Sequence, residues 1–209
     1  MGLHLGDTAP DFTAMTTDGE ISFHEWKKDS WAVFFSHPAD FTPVCTTELG
    51  RTAALEGEFA KRNTKAMALS IDPIEDHHKW APDIGAVTGT ELNFPIVADP
   101  DRRVAELYDM IHPGAGDTST VRSVFILDPA NTLRLMLTYP KSVGRNFDEI
   151  IRVIDALQAT DKDPIATPAD WQPGDRVIVG LAVSTDDARK QFSNVEEVTP
   201  YLRYADAPE

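Results

Sequence analysis
Five consecutive apolar residues, Trp31-Ala32-Val33-Phe34-Phe35, run into a short loop and then a strong helix start, Thr42-Pro43. The apolar run reads as a buried strand. Thr is a favoured N-cap, and Pro suits the first helical position because its missing N–H would have no partner there. Helix formers follow from Val44 to about Arg62. This strand–loop–helix unit restricts the chain to folds that alternate the two kinds of element. It also places Cys45, the single cysteine of the chain, in the first turn of the helix. Free backbone N–H groups and the positive end of the helix dipole favour a thiolate there. Thr42, three residues earlier, can bring its hydroxyl near the sulfur. Pro38 can wall the pocket without offering a competing donor.

The rest of the chain extends the pattern. Phe12–Phe23 reads as a short strand or hairpin, with a tight-turn signal at Asp18-Gly19. Lys65–Ile71 reads as a second buried strand, and Ile74 to about Val87 as a helix. Phe94–Ala98 is a short strand, and Asp99-Pro100-Asp101 caps a helix that runs through Tyr108. His112–Asp117 is a loop. Arg122–Leu127 and Leu133–Tyr139 alternate around a turn at Asp128–Asn131, which predicts an antiparallel hairpin. Phe147, Ile150, Ile151, Ile154 and Leu157 keep the helical period, with Asn146 as cap. The order is βαβ, an inserted helix and strand, then ββα, which predicts an α/β fold with a mixed sheet.

Several stretches resemble the peroxiredoxins. Pro38-x-x-x-Thr42-x-x-Cys45 is similar to their active-site motif. The longer string Ser36-His37-Pro38-x-Asp40-Phe41-Thr42-Pro43-Val44-Cys45-Thr46-Thr47-Glu48-Leu49 resembles the one-cysteine branch. So do Val121–Phe125, Tyr139-Pro140, Gly144–Glu149, Ala166-Thr167-Pro168-x-x-Trp171 and Tyr201–Tyr204. These matches are collinear over about residues 3–205. The resemblance implies a thioredoxin fold, with a mixed central sheet flanked by helices and a small C-terminal extension. It also implies a thiol-dependent peroxidase that reduces hydrogen peroxide and alkyl hydroperoxides, and needs no cofactor.

Residue chemistry fits that expectation. Reducing a peroxide takes a thiolate in line with the O–O bond, and donors for the leaving oxygen. A free thiol titrates near 8.5, so a nearby cation is needed to make it react at neutral pH. Arg122 opens a buried strand, and the resemblance places it against the sulfur and the peroxide; its planar fork of donors suits two oxygens. Thr42 is expected to hydrogen-bond thiolate and peroxide. Glu48, one turn after Cys45, is unfavourable beside a thiolate unless it orients an arginine, either Arg122 or Arg145. His37, before Pro38, can tune the sulfur or take a proton. Attack leaves Cys45 as sulfenic acid. With no second cysteine to resolve it, the reductant is an external thiol such as glutathione or a thioredoxin-like protein, or Cys45 of another subunit.

Charge and composition exclude other classes. With 209 residues the chain can bury a real core. A net charge of −15 argues against a nucleic-acid partner. No apolar stretch approaches the length of a membrane span, and no secretion signal is evident, so the cytoplasm is the expected location. His77-His78 invites a metal reading, but adjacent helical positions do not share a face, so no metal is expected. A disulfide reductase would need Cys-x-x-Cys, and position 42 is Thr. Animal relatives of this branch are described as phospholipases through a Ser, a His and an acid. Ser30 and His24 stand at the matching places, but Ser30 lacks the flanking glycines and the acid position holds Ala130. A non-enzymatic holdase or a peroxide sensor is the alternative to peroxidase function.

The character of the chain changes after Gln158. Residues 1–160 are expected to form the peroxidase domain. Residues 161–209 read as an arm with one strand (Val177–Val179), one polar helix (Asp186–Phe192) and scattered aromatics, too little apolar surface to fold alone. The resemblance lays this arm across a partner subunit, implying a homodimer, with higher assembly open.

Overall fold
The computed structural model describes residues 2–208. They group into two compact units, divided between Phe147 and Asp148.

The first unit holds a seven-stranded mixed sheet. Its strands are β1 (Thr13–Thr16), β2 (Gly19–Ser22), β3 (Trp31–Ser36), β4 (Thr64–Ser70), β5 (Ile96–Ala98), β6 (Arg122–Leu127) and β7 (Leu133–Tyr139), in the order β2-β1-β5-β4-β3-β6-β7. β3 pairs in parallel with β4 and antiparallel with β6, as Val33 faces Ala66 on one side and Ile126 on the other. All six residues of β3 are buried. The apolar run Trp31–Phe35 follows from that position, with strands at both edges and packed layers on both faces. One core gathers Phe12, Phe23, Phe34, Met67, Tyr108 and Phe125. The mixed thioredoxin-type sheet is as the sequence predicts.

The helices are α1 (Phe23–Lys27), α2 (Pro43–Ala54), α3 (Glu56–Lys61), α4 (Ile74–Thr88) and α5 (Arg103–Leu107). The single helix expected over Val44–Arg62 is two, broken at Leu55. The break lets Leu55 and Phe59 both turn into the core. The Phe12–Phe23 hairpin is present, and α1, which the pattern did not reveal, follows it directly. Asp99 caps α5 by accepting from the N–H groups of Val104 (3.1 Å) and Ala105 (2.7 Å). Gly50 sets the seat of α2: a Cβ there would lie 2.3 Å from Thr88 Cγ2 of α4, so only glycine lets the two helices approach this closely.

The second unit contains nearly all of α6 (Phe147–Lys162), then β8 (Ile165–Ala166), β9 (Val177–Val179), α7 (Thr185–Gln191), β10 (Glu196–Thr199) and β11 (Leu202–Ala205). The strands form an antiparallel sheet in the order β10-β11-β9-β8. This corrects the expectation of one strand and one helix. Ile165, Trp171 and Val177 build one small core, and Val179, Ala188 and Ala205 another. Buried Arg203 ties the unit together by donating to the carbonyls of Val183 (2.6 Å) and Gly180 (3.0 Å). The contacts also assign the body of α6 to this unit, whereas composition alone set the expected boundary near residue 160.

Candidate active site
The end of β3 delivers the segment 36–48 to the start of α2. Two bonds fix its upstream end: Ser36 Oγ donates to Val121 O (2.6 Å), and Thr120 Oγ1 donates to His37 O (2.6 Å). Thr42 stands at the N-cap with extended backbone, and Pro43 opens the helix. The Thr42 hydroxyl does not cap the helix; it donates to Ala39 O (2.8 Å). This corrects the side-chain cap expected at Thr42, while the helix begins where the sequence places it. Phe41, just before, has φ +55 and is half exposed. Such a conformation is uncommon for a bulky residue and belongs to constrained turns.

Cys45 lies in the first turn of α2 and is fully buried. Arg122 Nη1 donates to its sulfur at 3.3 Å, a contact that spans 77 residues of sequence. The same nitrogen donates to Glu48 Oε2 at 2.7 Å. Nε and Nη2 of Arg122 both donate to Lys141 O, at 2.9 and 2.6 Å, which fixes the plane of the guanidinium. Arg145 holds Glu48 from the other side. Its Nη2 donates to Oε2 (2.6 Å), and its Nε and backbone N–H both donate to Oε1 (2.9 and 2.8 Å). Arg145 Nη1 donates to Ser36 O (2.8 Å) and Ser123 O (3.1 Å), and its guanidinium lies over the Phe35 ring at 4.8 Å. Glu48 therefore pairs with both arginines that the sequence offered as alternatives.

Burial pushes the Glu48 carboxyl up, but the charge and hydrogen bonds of Arg145, with Arg122 behind, hold it below the usual carboxylate range. Burial draws the Arg145 guanidinium down from its usual value, against the pull of Glu48. Charge counting is informative here. Two buried arginines face one buried carboxylate, a surplus of one positive charge beside the sulfur.

A second polar group lies behind the loop. Asp40, His37 and His77 are all buried. His37 Nε2 is 2.9 Å from Asp40 Oδ1, and His77 Nδ1 is 2.6 Å from Asp40 Oδ2. Asp72 accepts from Asp40 N (3.0 Å) and Ser70 Oγ (2.7 Å). Ligand atoms of His37, Asp40 and Asp72 lie within 4.8 Å of one another, as in a metal-binding group. Asp40, however, already faces both imidazoles, and Asp72 accepts two hydrogen bonds. Asp40 carries no role in the expectations from sequence, and His77 stands out there only beside His78. The spacing His37-x-x-Asp40 within a buried loop was the available signal.

Pro38 is buried in the loop. The residues weighed for a lipase do not meet: Ser30 Oγ donates to Lys27 O (2.6 Å), while His24 Nδ1 lies 4.0 Å from Asp11.

The chain is similar to known proteins over nearly its whole length. Residues 5–136 match the AhpC/TSA family, and residues 156–194 match the C-terminal domain of 1-Cys peroxiredoxin. A 1-Cys peroxiredoxin of Dictyostelium discoideum is 50% identical over 207 residues, covering 99% of this chain and 86% of that protein. The crystal structure of a cysteine-to-serine mutant of peroxiredoxin 6 from Arenicola marina superposes with a TM-score of 0.94, at 46% identity and 100% coverage of both chains. A yeast mitochondrial 1-Cys peroxiredoxin, solved to explain its thiol resolving mechanism, gives a TM-score of 0.92 at 48% identity, covering 98% of this chain and 99% of that one. With one cysteine, set at a helix start against an arginine, the chain belongs to the AhpC/TSA family and is a thiol-dependent peroxidase of the 1-Cys peroxiredoxin type.

Proposed function
We propose that Cys45 is the peroxidatic nucleophile and that Arg122, held by Glu48 and Arg145, keeps it ionised and orients the peroxide. The observation that carries this reading is the charge surplus around a buried sulfur, with Arg122 Nη1 at 3.3 Å. The thiolate attacks one peroxide oxygen. An S–O bond forms, the O–O bond breaks, and the leaving alkoxide or hydroxide takes a proton and departs as alcohol or water. Cys45 is oxidised to sulfenic acid and the peroxide is reduced by two electrons. Arg122 donors are suited to the developing charge on the leaving oxygen, where a preorganised donor has its largest effect. Thr42, whose hydroxyl proton goes to Ala39 O, has only lone pairs left to accept from the peroxide O–H, and Pro38 closes the pocket without an N–H.

Recycling needs two external thiols. The first condenses with the sulfenic acid and releases water; the second displaces the mixed disulfide and restores Cys45. The yeast relative is resolved through glutathione and thioredoxin systems, which supports a thiol of this kind here. A cytoplasmic enzyme acting on hydrogen peroxide and alkyl hydroperoxides, assembled as a homodimer through the C-terminal unit, completes the reading. Glu48 and Arg145 act by holding Arg122 in place.

Mass spectrometry after one equivalent of peroxide, with and without glutathione or thioredoxin, tests this reading. Expected are one added oxygen on Cys45 and its removal by a competent thiol. A chain that protects client proteins but turns over no peroxide with any thiol donor would instead be a holdase.

A further inference from the structure
Arg122 meets the sulfur through Nη1, while its other two nitrogens, Nε and Nη2, both donate to Lys141 O. The guanidinium is planar and rigid, so a shift of that carbonyl turns the whole fork and carries Nη1 off Cys45 and Glu48. The position of Lys141 O therefore sets the aim of Arg122. Tyr139 is the partner of Arg122 across the β6–β7 ladder, and Lys141 lies two residues past it, beyond the end of β7. Its side chain reaches back to the loop that precedes β6. Lys141 Nζ donates to Ser119 Oγ (2.7 Å) and to Asp117 Oδ1. Asp117 Oδ1 also accepts from the backbone N–H (2.8 Å) and hydroxyl (2.6 Å) of Ser119, so the three side chains close a ring. These bonds, the one from Lys141 foremost, hold the Asp117 carboxyl well below the usual carboxylate range. Arg102 Nη2 donates to Thr118 Oγ1 (3.1 Å) and ties the same loop to the start of α5. One strip, 117–122, thus grips Lys141 at its start, His37 O and the Ser36 hydroxyl at Thr120 and Val121, and the sulfur at its end.

We propose that Lys141 is a positioning residue of the peroxidase reaction: its ammonium, latched on Asp117 and Ser119, holds its carbonyl where that carbonyl aims Arg122 at the sulfur and the peroxide. The inference rests on the peroxidase reading above. Every residue type carries a backbone carbonyl, so the Lys141 side chain acts only by placing it. An ordinary surface ion pair joins two side chains and ends there. This one continues through the Lys141 backbone into the guanidinium whose Nη1 lies 3.3 Å from Cys45. The Lys141 side chain is 21% exposed and that of Asp117 64%, so solvent and salt partly screen the latch, and its effect on the rate is graded.

Stopped-flow oxidation of Cys45 by hydrogen peroxide, read beside the nitrogen-15 NMR signal of Arg122 Nε in the full-length protein, tests the proposal. Lys141→Met keeps the carbonyl and removes the ammonium. Oxidation should slow by about two- to fivefold, the range open to an exposed pair, and the Arg122 Nε–H signal should shift. Lys141→Arg should restore both the rate and the signal. Asp117→Asn should slow oxidation in the same direction, and combining it with Lys141→Met should add little to the loss. Hydrogen peroxide is uncharged, so salt acts on the rate through the protein. Raising sodium chloride from about 0.05 to about 1 M should slow the unsubstituted protein and leave Lys141→Met unchanged. Lys141→Met oxidised at the unsubstituted rate overturns the proposal, as does an Arg122 signal unmoved in that variant. So does a loss that Lys141→Arg fails to restore, which would mark the lysine as packing only. If the unsubstituted protein is not oxidised at Cys45 at all, the peroxidase reading fails instead, and the Arg122 signal by itself decides whether Lys141 holds the arginine.

Discussion
The two buried polar groups around residues 36–48 are built on opposite electrostatic plans. At Cys45 the protein part is unbalanced, with two arginines on one carboxylate beside the sulfur. At Asp40 the polar groups face one another: one carboxylate lies between two imidazoles. The first leaves a surplus of positive charge beside the sulfur; the second directs its polar atoms inward.

Substitutions should separate the two. Cys45→Ser removes the nucleophile, and peroxide consumption should vanish while circular dichroism and the unfolding midpoint stay near those of the unsubstituted protein; residual turnover would move the chemistry elsewhere. Arg122→Ala comes next. Loss of a preorganised donor aimed at developing charge lowers rates by roughly 10²–10³, so stopped-flow oxidation of Cys45 should slow by that order. A change below tenfold would remove Arg122 from the reacting centre. Glu48→Gln tests the unbalanced plan through stability. It leaves two buried arginines without their carboxylate, and loss of one partner of a buried pair costs about 3–5 kcal/mol in denaturant unfolding. Gln there with no loss of stability would show that the arginines need no counter-charge.

The smallest effect expected is on pH dependence. His37 has its folded value lowered from 6.5 by burial. As pH falls through 6.5, the unfolded chain takes up a proton that the folded chain does not, and stability is lost. Glu48 and Asp40 are also lowered, from 4.5 and 3.8. Their contributions are present above those values and are lost as pH falls below them towards the folded values. Urea midpoints should therefore begin to fall just below neutrality and fall more steeply under pH 4.5. His37→Gln should abolish the first decline alone. A variant that keeps the same slope between pH 7 and 5 would assign that decline to another group.

Much of this was legible in local sequence. The apolar run of β3, the Thr42-Pro43 helix start and the alternating β6–β7 hairpin carry their own signals, because strand and helix periods are written in consecutive residues. The second unit was harder to read. β10 is largely exposed and polar, Glu-Glu-Val-Thr, so it lacks the alternation that marks a half-buried strand. The break at Leu55 was also hidden: Gly57 is a poor helix former, but the residues on either side of it favour a continuous helix.

The sequence by itself determined that a lone cysteine would sit at a helix start, and that any catalytic cycle must borrow its second thiol from another molecule. Both follow from neighbouring residues and from a count of one cysteine. Only the tertiary structure decided that Glu48 joins Arg122 and Arg145 at once, across 74 and 97 residues, and that His77 closes on Asp40. Those pairings depend on which strands lie side by side. Their strength depends on burial, which no single stretch of chain can supply.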